Sequence, residues 1–425
     1  MKIAVIGAGI VGITTAYELA CDGHEVTVLE RRGAAAEESS FATAGLVGPG
    51  YVTPWADPGM PMAVLRHWFI RGGTVKVGWP RSARELTWLW KSFRACKLDT
   101  YLADRAQLQQ LALYSRERLH QISAGAQFDY ERSDGCVVLL RSERDSKLMQ
   151  PGLQLLRDAG VAFQEISPAQ ARQIENALNP DTAFFGAIHL PDDEVVNCRQ
   201  FALLLKNEAQ RIGVKFLFGT QVTRLTPVPG VALDIEGQSD AQTYDACVIC
   251  AGCDSVRLLA PLGIKIPLAA VHRYSVSASI REPLNAPRSA VIDERYKVTI
   301  SRLGNRVRVA GGAELGGAVN VKHARSLQTL YKVLHDWFPG AANMSGAVQE
   351  WKGACPTLPG GPPLIGASGV GAVWLNLGHG DSGWALSCGS ARVLADLIGG
   401  RQPAVDMTRA SGLKSSSEWV DTTPV

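Results

Sequence analysis

The first thirty residues of the sequence constrain the fold more than any other segment. The run "KIAVIGAG" is apolar almost without interruption, which is typical of a parallel strand buried on both faces. Gly7, Gly9 and Gly12 follow with GxGxxG spacing. Gly7 permits a tight turn, Gly9 lets the backbone approach a pyrophosphate, and Gly12 lets a helix pack closely on the strand. A helical segment and a second apolar run, "HEVTVLE", complete a β–α–β unit that ends at Glu30.

This unit predicts a site for an adenine dinucleotide, because the N-terminus of its helix favours phosphate groups. Glu30 comes 18 residues after Gly12 and is placed to accept hydrogen bonds from a ribose 2′-hydroxyl. The motif does not separate NAD from FAD. The small residues that follow favour a chain lying against the bulkier, extended FAD, and the alternative is an ordinary surface loop. These residues are Ser39, Ser40, Ala42, Thr43, Ala44 and Gly45.

Composition excludes several classes of protein. The chain has 425 residues, of which 46% are hydrophobic and 20% charged, as in globular proteins with a sizeable core. A net charge of +3 is too small to indicate a nucleic-acid partner. No apolar run reaches the roughly 18 residues of a membrane-spanning helix, and the N-terminal glycines break the run that a signal peptide would need. Nine scattered cysteines, an odd number, favour free thiols in a reducing compartment and predict a cytoplasmic protein.

Three of these cysteines have CxxCxxC spacing in "DACVICAGCDS", at Cys247, Cys250 and Cys253. One interpretation is an iron–sulfur or zinc site. The other is a buried strand over residues 246–251 followed by a glycine turn. The second interpretation is favoured because no fourth ligand lies nearby and cysteine is a common small core residue. We therefore predict no metal.

Residues 55–97 combine basic and aromatic side chains. They contain eight Lys or Arg residues, only two acids and five of the ten tryptophans, namely Trp55, Trp68, Trp79, Trp88 and Trp90. The segment "ELTWLWKSFRACKL" predicts an amphipathic helix. Packing of its tryptophan face against the protein is the favoured interpretation, and peripheral docking on an anionic membrane surface is the alternative.

The remaining segments predict a discontinuous domain. Patterns of alternating helix and strand occur at both ends and in the middle of the chain, with antiparallel strand patterns between them. The predicted fold class is therefore α/β: a Rossmann-type cofactor-binding domain assembled from separated segments, with an inserted α+β substrate domain built on an antiparallel sheet. The predicted limits are 1–85, 196–268 and 350–425 for the first domain, and 86–195 and 269–349 for the second.

A second glycine-rich turn with a following helix lies at residues 376–400, in "NLGHGDSGWALSCGSARVLADLIGG". We predict that it is not a second nucleotide site. It returns the chain to the first site, where its helix N-terminus would lie near the flavin and favour the negative charge of the reduced form.

Three local predictions concern strands. The segment "FDYERSDGCVVLLRS" predicts two strands around a turn at Asp134-Gly135, and "VKFLFGTQVTRL" predicts one strand. Gly304-Asn305 lies between two alternating runs, which indicates a β-hairpin.

Several stretches spread over nearly the whole chain resemble the D-amino acid dehydrogenase small-subunit family. This family belongs to the flavin amine oxidoreductases, with D-amino acid oxidase, glycine oxidase and sarcosine oxidase. The matching stretches include "SFATAGLVGPGYVTPWADPGMP", "LPDDEVVNCRQF", "IDERYKVTISRLGNRVRVAGGAE" and "WLNLGHGDSGWALSCGSARVLADLI". The resemblance implies FAD, transfer of hydride from an amine α-carbon to flavin N5, and release of an imine that hydrolyses to a 2-oxo acid and ammonia. It also implies a quinone or electron-transfer partner as the electron acceptor.

Carried over by position, the resemblance also implies which residues bind FAD. The ADP half is assigned to Gly7, Gly9, Gly12, Glu30 and Arg31, and the pyrophosphate region to Ala251 and Gly252. Ile10, Val11 and Ser39 are also expected to bind FAD. Val222 is expected to contact adenine through its backbone. Ala44, Gly45 and Leu46 are expected beside the isoalloxazine, which Gly378, His379, Gly380, Asp381, Ser382 and Gly383 cap.

Four residues are the candidates for catalysis. Tyr51 and Tyr274 match family tyrosines near the substrate and are expected to hydrogen-bond its carboxylate, or else to be structural rings. Arg302 is the leading cation for that carboxylate, or else a solvated charge on a strand. His379, in the second glycine-rich turn, is the fourth candidate.

The sequence departs from the family where the substrate carboxylate is expected to bind. The family reads W-x-G-x-R-P-x-T-P-D-G, whereas this chain reads "WKGACPTLPGG", with Cys355 at the arginine position and Gly360 at the aspartate position. Asp381-Ser382 replaces a common Thr-Leu. Three explanations stay open: a cyclic or secondary amine substrate of the hydroxyproline or sarcosine type, a substitute cation such as Arg302, or a flavin-binding biosynthetic or carrier protein without amino acid oxidation. A thioether between Cys355 and the flavin is a less favoured fourth.

Overall fold

The computed structural model describes residues 1–62, 64, 75–78, 82–316 and 321–407. In chain order, its strands are β1 (Lys2–Ile6), β2 (Glu25–Glu30), β3 (Leu46–Val47), β4 (Val75–Val77), β5 (Arg132–Leu140), β6 (Gln164–Ile166), β7 (Gly186–Val196), β8 (Lys215–Phe218), β9 (Val222–Val228), β10 (Gly230–Ile235), β11 (Gln242–Tyr244), β12 (Ala246–Ile249), β13 (Ala269–Ser279), β14 (Ala290–Asp293), β15 (Val298–Leu303), β16 (Arg306–Leu315), β17 (Gln349–Thr357), β18 (Leu364–Ala367) and β19 (Val373–Leu377). Its helices are α1 (Ile10–Cys21), α2 (Ala83–Ala95), α3 (Leu98–Gly125), α4 (Glu143–Asp158), α5 (Pro168–Ile174), α6 (Cys198–Arg211), α7 (Ser255–Leu259), α8 (Ala324–Trp337) and α9 (Gly383–Ile398).

One sheet of six strands has the order β18-β19-β12-β1-β2-β8. Neighbouring strands of this sheet pair in parallel, except that the edge strand β18 pairs antiparallel with β19. Helices α1, α3, α6 and α9 cover one face, and the three-stranded sheet β11-β10-β9 covers the other. Both faces are buried, which explains why these strands are continuous apolar runs. Because its strands come from three distant parts of the chain, the predicted assembly of this domain from separated segments is confirmed.

The glycines of the first turn are required by close backbone contacts. Gly7 has φ 107°, which only glycine adopts readily. A Cβ at Gly12 would lie 1.9 Å from the Gly7 carbonyl oxygen. Gly12 therefore serves the packing of α1 on the turn after β1.

A second, ten-stranded sheet has the path β17-β13-β16-β15-β14-β5-β7-β3, with β4 beside β16 and β6 beside β7. Helix α8 packs on one face with its buried residues, which include Leu330, Val333 and Trp337. The opposite face, which carries Ser277, Thr299 and Ser301, looks toward the segment before β3 and a large cavity. The alternation of side chains along a strand thus assigns each residue either to the core under α8 or to the cavity.

Two of the three local strand predictions are wrong. Residues 132–140 form the single strand β5 rather than two strands, because Gly135, at φ 91°, is accommodated as an irregularity in the pairing with β7. The segment "VKFLFGTQVTRL" forms β8 and β9 in different sheets, because the chain turns at Gly219. The hairpin at Gly304-Asn305 is confirmed, since β15 and β16 pair antiparallel with Leu303 opposite Arg306.

The membership of the sheets departs from the predicted domain limits at three strands. β3, β4 and β17 belong to the ten-stranded sheet although the prediction placed them in the cofactor-binding segments.

In the amphipathic segment, the predicted helix is α2. Trp88 is buried and its ring centroid lies 5.8 Å from that of Trp55, whereas Trp90 is exposed. Trp68 and Trp79 lie outside the described residues.

The cysteine-rich segment forms the buried strand β12, as predicted. Cys247 packs against the core under the three-stranded sheet. Cys250 packs on the opposite side, with its thiol 3.8 Å from the Thr15 hydroxyl. Cys253 lies 3.9 Å from the Ala354 carbonyl oxygen. The thiols therefore diverge and do not form a common ligand set.

Candidate functional site

Three adjoining cavities form one groove from Glu30 to Tyr51. The first and second share Gly9, Ser39 and Gly252 in their walls, and the second and third share residues that include Cys355 and Asp381. With the exception of Gly12, all the predicted cofactor residues line this groove. The groove thus brings together segments that are far apart in the sequence.

The first cavity carries a fixed carboxylate. Glu30 ends β2 and accepts hydrogen bonds from the backbone N–H of Ala8 at 2.6 Å and of Arg32 at 2.8 Å, one on each oxygen. Since each carboxylate oxygen can accept more than one hydrogen bond, Glu30 can also accept hydrogen bonds from hydroxyl groups of a ligand. Arg31 forms ion pairs with Glu38 and Asp254 in the same wall. This end of the groove suits a ribose.

The middle of the groove has an open backbone. A Cβ at Gly9 would meet only the Ser40 hydroxyl, at 3.5 Å, and one at Gly252 would meet nothing within 4 Å. The Ser40 hydroxyl accepts a hydrogen bond from the N–H of Ile10 at 3.0 Å, in the first turn of α1. Asn376 also lines this part, and its buried Oδ1 has no hydrogen-bond partner among the described residues. These features fit the pyrophosphate and ribityl chain of an extended dinucleotide.

The segment before β3 is held by three hydrogen bonds. The Arg308 guanidinium donates to the Thr43 carbonyl at 3.0 Å. The Ser301 hydroxyl donates to the Ala44 carbonyl at 2.7 Å. The Val196 N–H donates to the Gly45 carbonyl at 2.8 Å. Burial lowers the pKa of Arg308 to about 10. The three hydrogen bonds hold in place the cavity wall that was predicted to lie beside the isoalloxazine.

The second glycine-rich turn joins β19 to α9, which packs against α1. Gly378 and Gly380 have φ of 83° and 59°, so the turn depends on glycine. His379 is buried between them, and its Nε2 lies 3.0 Å from the Ser390 hydroxyl. Burial lowers the pKa of His379 to about 3. The imidazole is therefore neutral near pH 7 and ties the turn to α9, a position that favours a structural role over the catalytic role predicted for it.

The third cavity has an empty volume of about 1860 Å³, part of it open to solvent. Tyr51 lies in its wall and donates a hydrogen bond to Glu294 at 2.6 Å. Lys297 pairs with the same carboxylate. Burial is the largest cause that raises the pKa of Tyr51, and the charge of Glu294 adds to it. The hydroxyl is consequently protonated and already engaged.

Two predicted substrate residues do not present their polar groups to the cavity. Arg302 follows Val298 and Ile300 on the face that packs under α8, and its Nε donates to the Gly304 carbonyl at 3.3 Å. Tyr274 contributes to the cavity wall, but its hydroxyl donates to Glu314 in the buried interior. The prediction that Arg302 faces the substrate is wrong, because alternation along β15 turns Thr299 and Ser301 to the cavity instead.

Arg273, which the sequence analysis missed, lies in the cavity wall on the strand next to Cys355. It donates to Asp381 at 2.6 Å and to the Gly312 carbonyl at 3.0 Å. Burial raises the pKa of Cys355 to about 12, so the thiol is neutral. The alternation in "RYSVSA" carried the signal, since it separates Arg273, with Ser275, from the apolar face of Tyr274.

A Rossmann-type sheet, a groove of this length and a terminal cavity define a protein that binds an extended dinucleotide and has room for a small molecule at the end of the groove. The family match to FAD-dependent oxidoreductases of the DAO group covers residues 2–397. The chain belongs to this family, and the groove described above fits its cofactor, FAD.

Individual relatives agree with this assignment. The chain is 37% identical to D-amino acid dehydrogenase of Bradyrhizobium diazoefficiens, over 96% of this chain and 97% of that protein. It is 39% identical to D-amino acid dehydrogenase of Cereibacter sphaeroides, over 96% and 93% of the two chains. Among solved structures, glycine oxidase from Geobacillus kaustophilus superposes with a TM-score of 0.73 at 22% identity, covering 96% of this chain and 98% of that one. The last comparison bears on the fold alone.

Proposed function

We propose that this protein oxidises the C–N bond of a D-amino acid or a related amine to an imine, which hydrolyses to a 2-oxo acid and ammonia. One observation carries the proposal: the groove that fits FAD opens without a break into a cavity whose wall contains an arginine guanidinium. The names of the two relatives, which match over almost their whole length, support the same reaction.

FAD, when bound, supplies the acceptor for the hydride that leaves the α-carbon. The chain's own residues have the tasks of holding FAD and orienting the substrate. Glu30, the first turn of α1 and the segment held by Arg308 are the groups that would hold it. No ionised base is required beside a neutral amine, so orientation supplies much of the rate. The neutral, buried His379 is consistent with that requirement.

Anaerobic mixing of the purified flavoprotein with a panel of amines tests the proposal. The panel contains D-alanine, D-phenylalanine, their L-enantiomers as matched controls, hydroxyproline and sarcosine. Rapid loss of the oxidised flavin absorbance with the D-enantiomers alone is the expected result. Rapid loss only with the cyclic or N-methyl compounds would replace it with the second candidate, which Cys355 favours. No loss with any compound would point to a flavin-binding protein without amino acid oxidation.

For the electron acceptor, we propose a quinone reached from the membrane surface. Leu86, Trp90 and Phe93 lie along one face of α2 and are 55%, 56% and 36% exposed. Arg94 lies 4.8 Å from the Trp90 ring centroid. Exposed aromatic and basic side chains on one helix suit an anionic lipid surface. Among the described residues, no helix has the length and apolarity to cross a membrane.

Sedimentation with vesicles tests this contact. The protein is expected to sediment with vesicles that contain phosphatidylglycerol and to remain in solution with phosphatidylcholine alone. The double variant Trp90→Ser/Phe93→Ser is expected to lose the association. Leu148→Ser, which removes a 70% exposed leucine from α4, is the matched control. Equal sedimentation of the two variants would contradict the proposal.

A further inference from the structure

The third cavity contains a cation that the sequence motif does not explain. At the arginine position of the family motif, Cys355 offers only a buried, neutral thiol. Arg273 on β13 lies beside it, two residues along the strand from Val271, which pairs with Cys355. The pairing of β13 with β16 shifts register between His272 and Tyr274, directly at Arg273. Such irregularities re-aim side chains near functional sites.

The guanidinium of Arg273 is held but not saturated. Its Nη2 donates to Asp381 at 2.6 Å and its Nη1 to the Gly312 carbonyl at 3.0 Å. Its Nε is buried and has no hydrogen-bond partner among the described residues. The guanidinium carbon Cζ of Arg273 lies 5.8 Å from the centroid of the Trp55 ring, and this contact limits the movement of the guanidinium. Since arginine carries five N–H donors, these two hydrogen bonds do not saturate the guanidinium, and Nη2 becomes available to another acceptor when Asp381 leaves it.

Asp381 is the only part of this arrangement that can readily leave. Its side chain is 52% exposed, whereas that of Arg273 is 22% exposed. It lies in the turn before α9, at the junction of the second and third cavities. An exposed ion pair of this kind is weak. A carboxylate that enters the cavity can therefore replace Asp381 on the guanidinium at small cost.

We propose that Arg273 binds the α-carboxylate of the substrate, and that Asp381 is the internal counterion which the substrate carboxylate displaces. This assignment rests on the proposed oxidation of an amino acid. It moves the carboxylate-binding cation from the strand β17 to its neighbour β13. It also explains why an aspartate follows the glycine-rich turn, since it neutralises Arg273 while no substrate is present.

The test measures ligand affinity on the flavin-loaded protein through the change in flavin absorbance. Phenylacetate and phenylacetamide are the probes, because they share a shape and differ in charge. Arg273→Gln is expected to raise the Kd of phenylacetate at least about tenfold and to leave that of phenylacetamide within about threefold. Asp381→Asn, which removes the competitor, is expected to lower the Kd of phenylacetate.

Arg295→Gln is the matched control, since Arg295 lines the same cavity but pairs with Asp145. It is expected to preserve the preference for phenylacetate. If Arg273→Gln retains this preference, or if Arg295→Gln loses it equally, the proposal is overturned. Weak binding of both probes to the wild type also counts against it. Arg273→Lys, which keeps the charge, covers the case in which Arg273→Gln does not retain flavin, and it is expected to show an intermediate preference.

The outcome is separable from that of the proposed reaction. Loss of phenylacetate binding in Arg273→Gln without flavin bleaching by any D-amino acid in the wild type would support the anion site and refute the reaction. Bleaching by D-amino acids with unchanged phenylacetate affinity in Arg273→Gln would support the reaction and refute the anion site.

Discussion

Replacing Gly12 by alanine tests the basis of the cofactor site. The added Cβ would lie 1.9 Å from the Gly7 carbonyl oxygen and 2.9 Å from its carbonyl carbon. A tolerable C···O contact is about 3.3 Å, so α1 and the turn must separate by roughly 1.4 Å. The atoms that collide are backbone atoms, which cannot rotate away. Overpacking of this kind costs about 1–3 kcal/mol, and it falls on the turn that carries Gly7 and Gly9.

The expected result is a rise of about tenfold or more in the Kd for FAD, because each 1.4 kcal/mol corresponds to about a factor of ten. The assay is titration of the apoprotein with FAD, followed by flavin fluorescence, together with the melting temperature of the apoprotein. Gly33→Ala is the matched control, since a Cβ there would meet nothing within 4 Å. If Gly12→Ala binds FAD and melts like the wild type, the packing argument is refuted.

Three other substitutions give independent predictions. Glu18 is buried and binds both Arg118 and Arg392, so Glu18→Gln is expected to lower the free energy of unfolding by about 3–5 kcal/mol in urea titrations; an unchanged midpoint would contradict this. Burial raises the pKa of Asp193 from 3.8 to about 7, so the folded state retains a proton that the unfolded state loses. Stability should therefore fall between about pH 4 and pH 7. Burial also raises the pKa of Asp104 and of Glu175 to about 6, so Asp193→Asn should reduce that fall in thermal melts without removing it. Arg308→Gln should weaken FAD binding in the same titration by releasing the segment before β3, and wild-type affinity would count against this role.

Much of the cofactor site could be predicted because its chemistry is local. Gly7, Gly9 and Glu30 lie within one β–α–β unit, so their spacing alone indicates a dinucleotide. The hairpin boundary was also readable, because its turn is encoded by the adjacent residues Gly304 and Asn305 between β15 and β16. The error at Asp134-Gly135 arose because a glycine in a strand indicates a turn and a bulge equally well.

The substrate end could not be predicted in the same way. Alternation shows that Arg302 shares a face with Ile300, and that Arg273 shares one with Ser275, but it does not show which face meets the cavity. That choice follows from the packing of α8 on one side of the sheet.

The sequence by itself determined the nucleotide unit and the return of the chain to it through the second glycine-rich turn, and its resemblance to the family marked Cys355 as a departure from the motif. Only the tertiary structure decided what stands beside that cysteine. Arg273, Cys355 and Asp381 come from three separate segments, and their proximity depends on strand register and on the docking of α9 against α1. Contacts between distant segments are set by the packing of whole elements, for which no local pattern of residues carries the information.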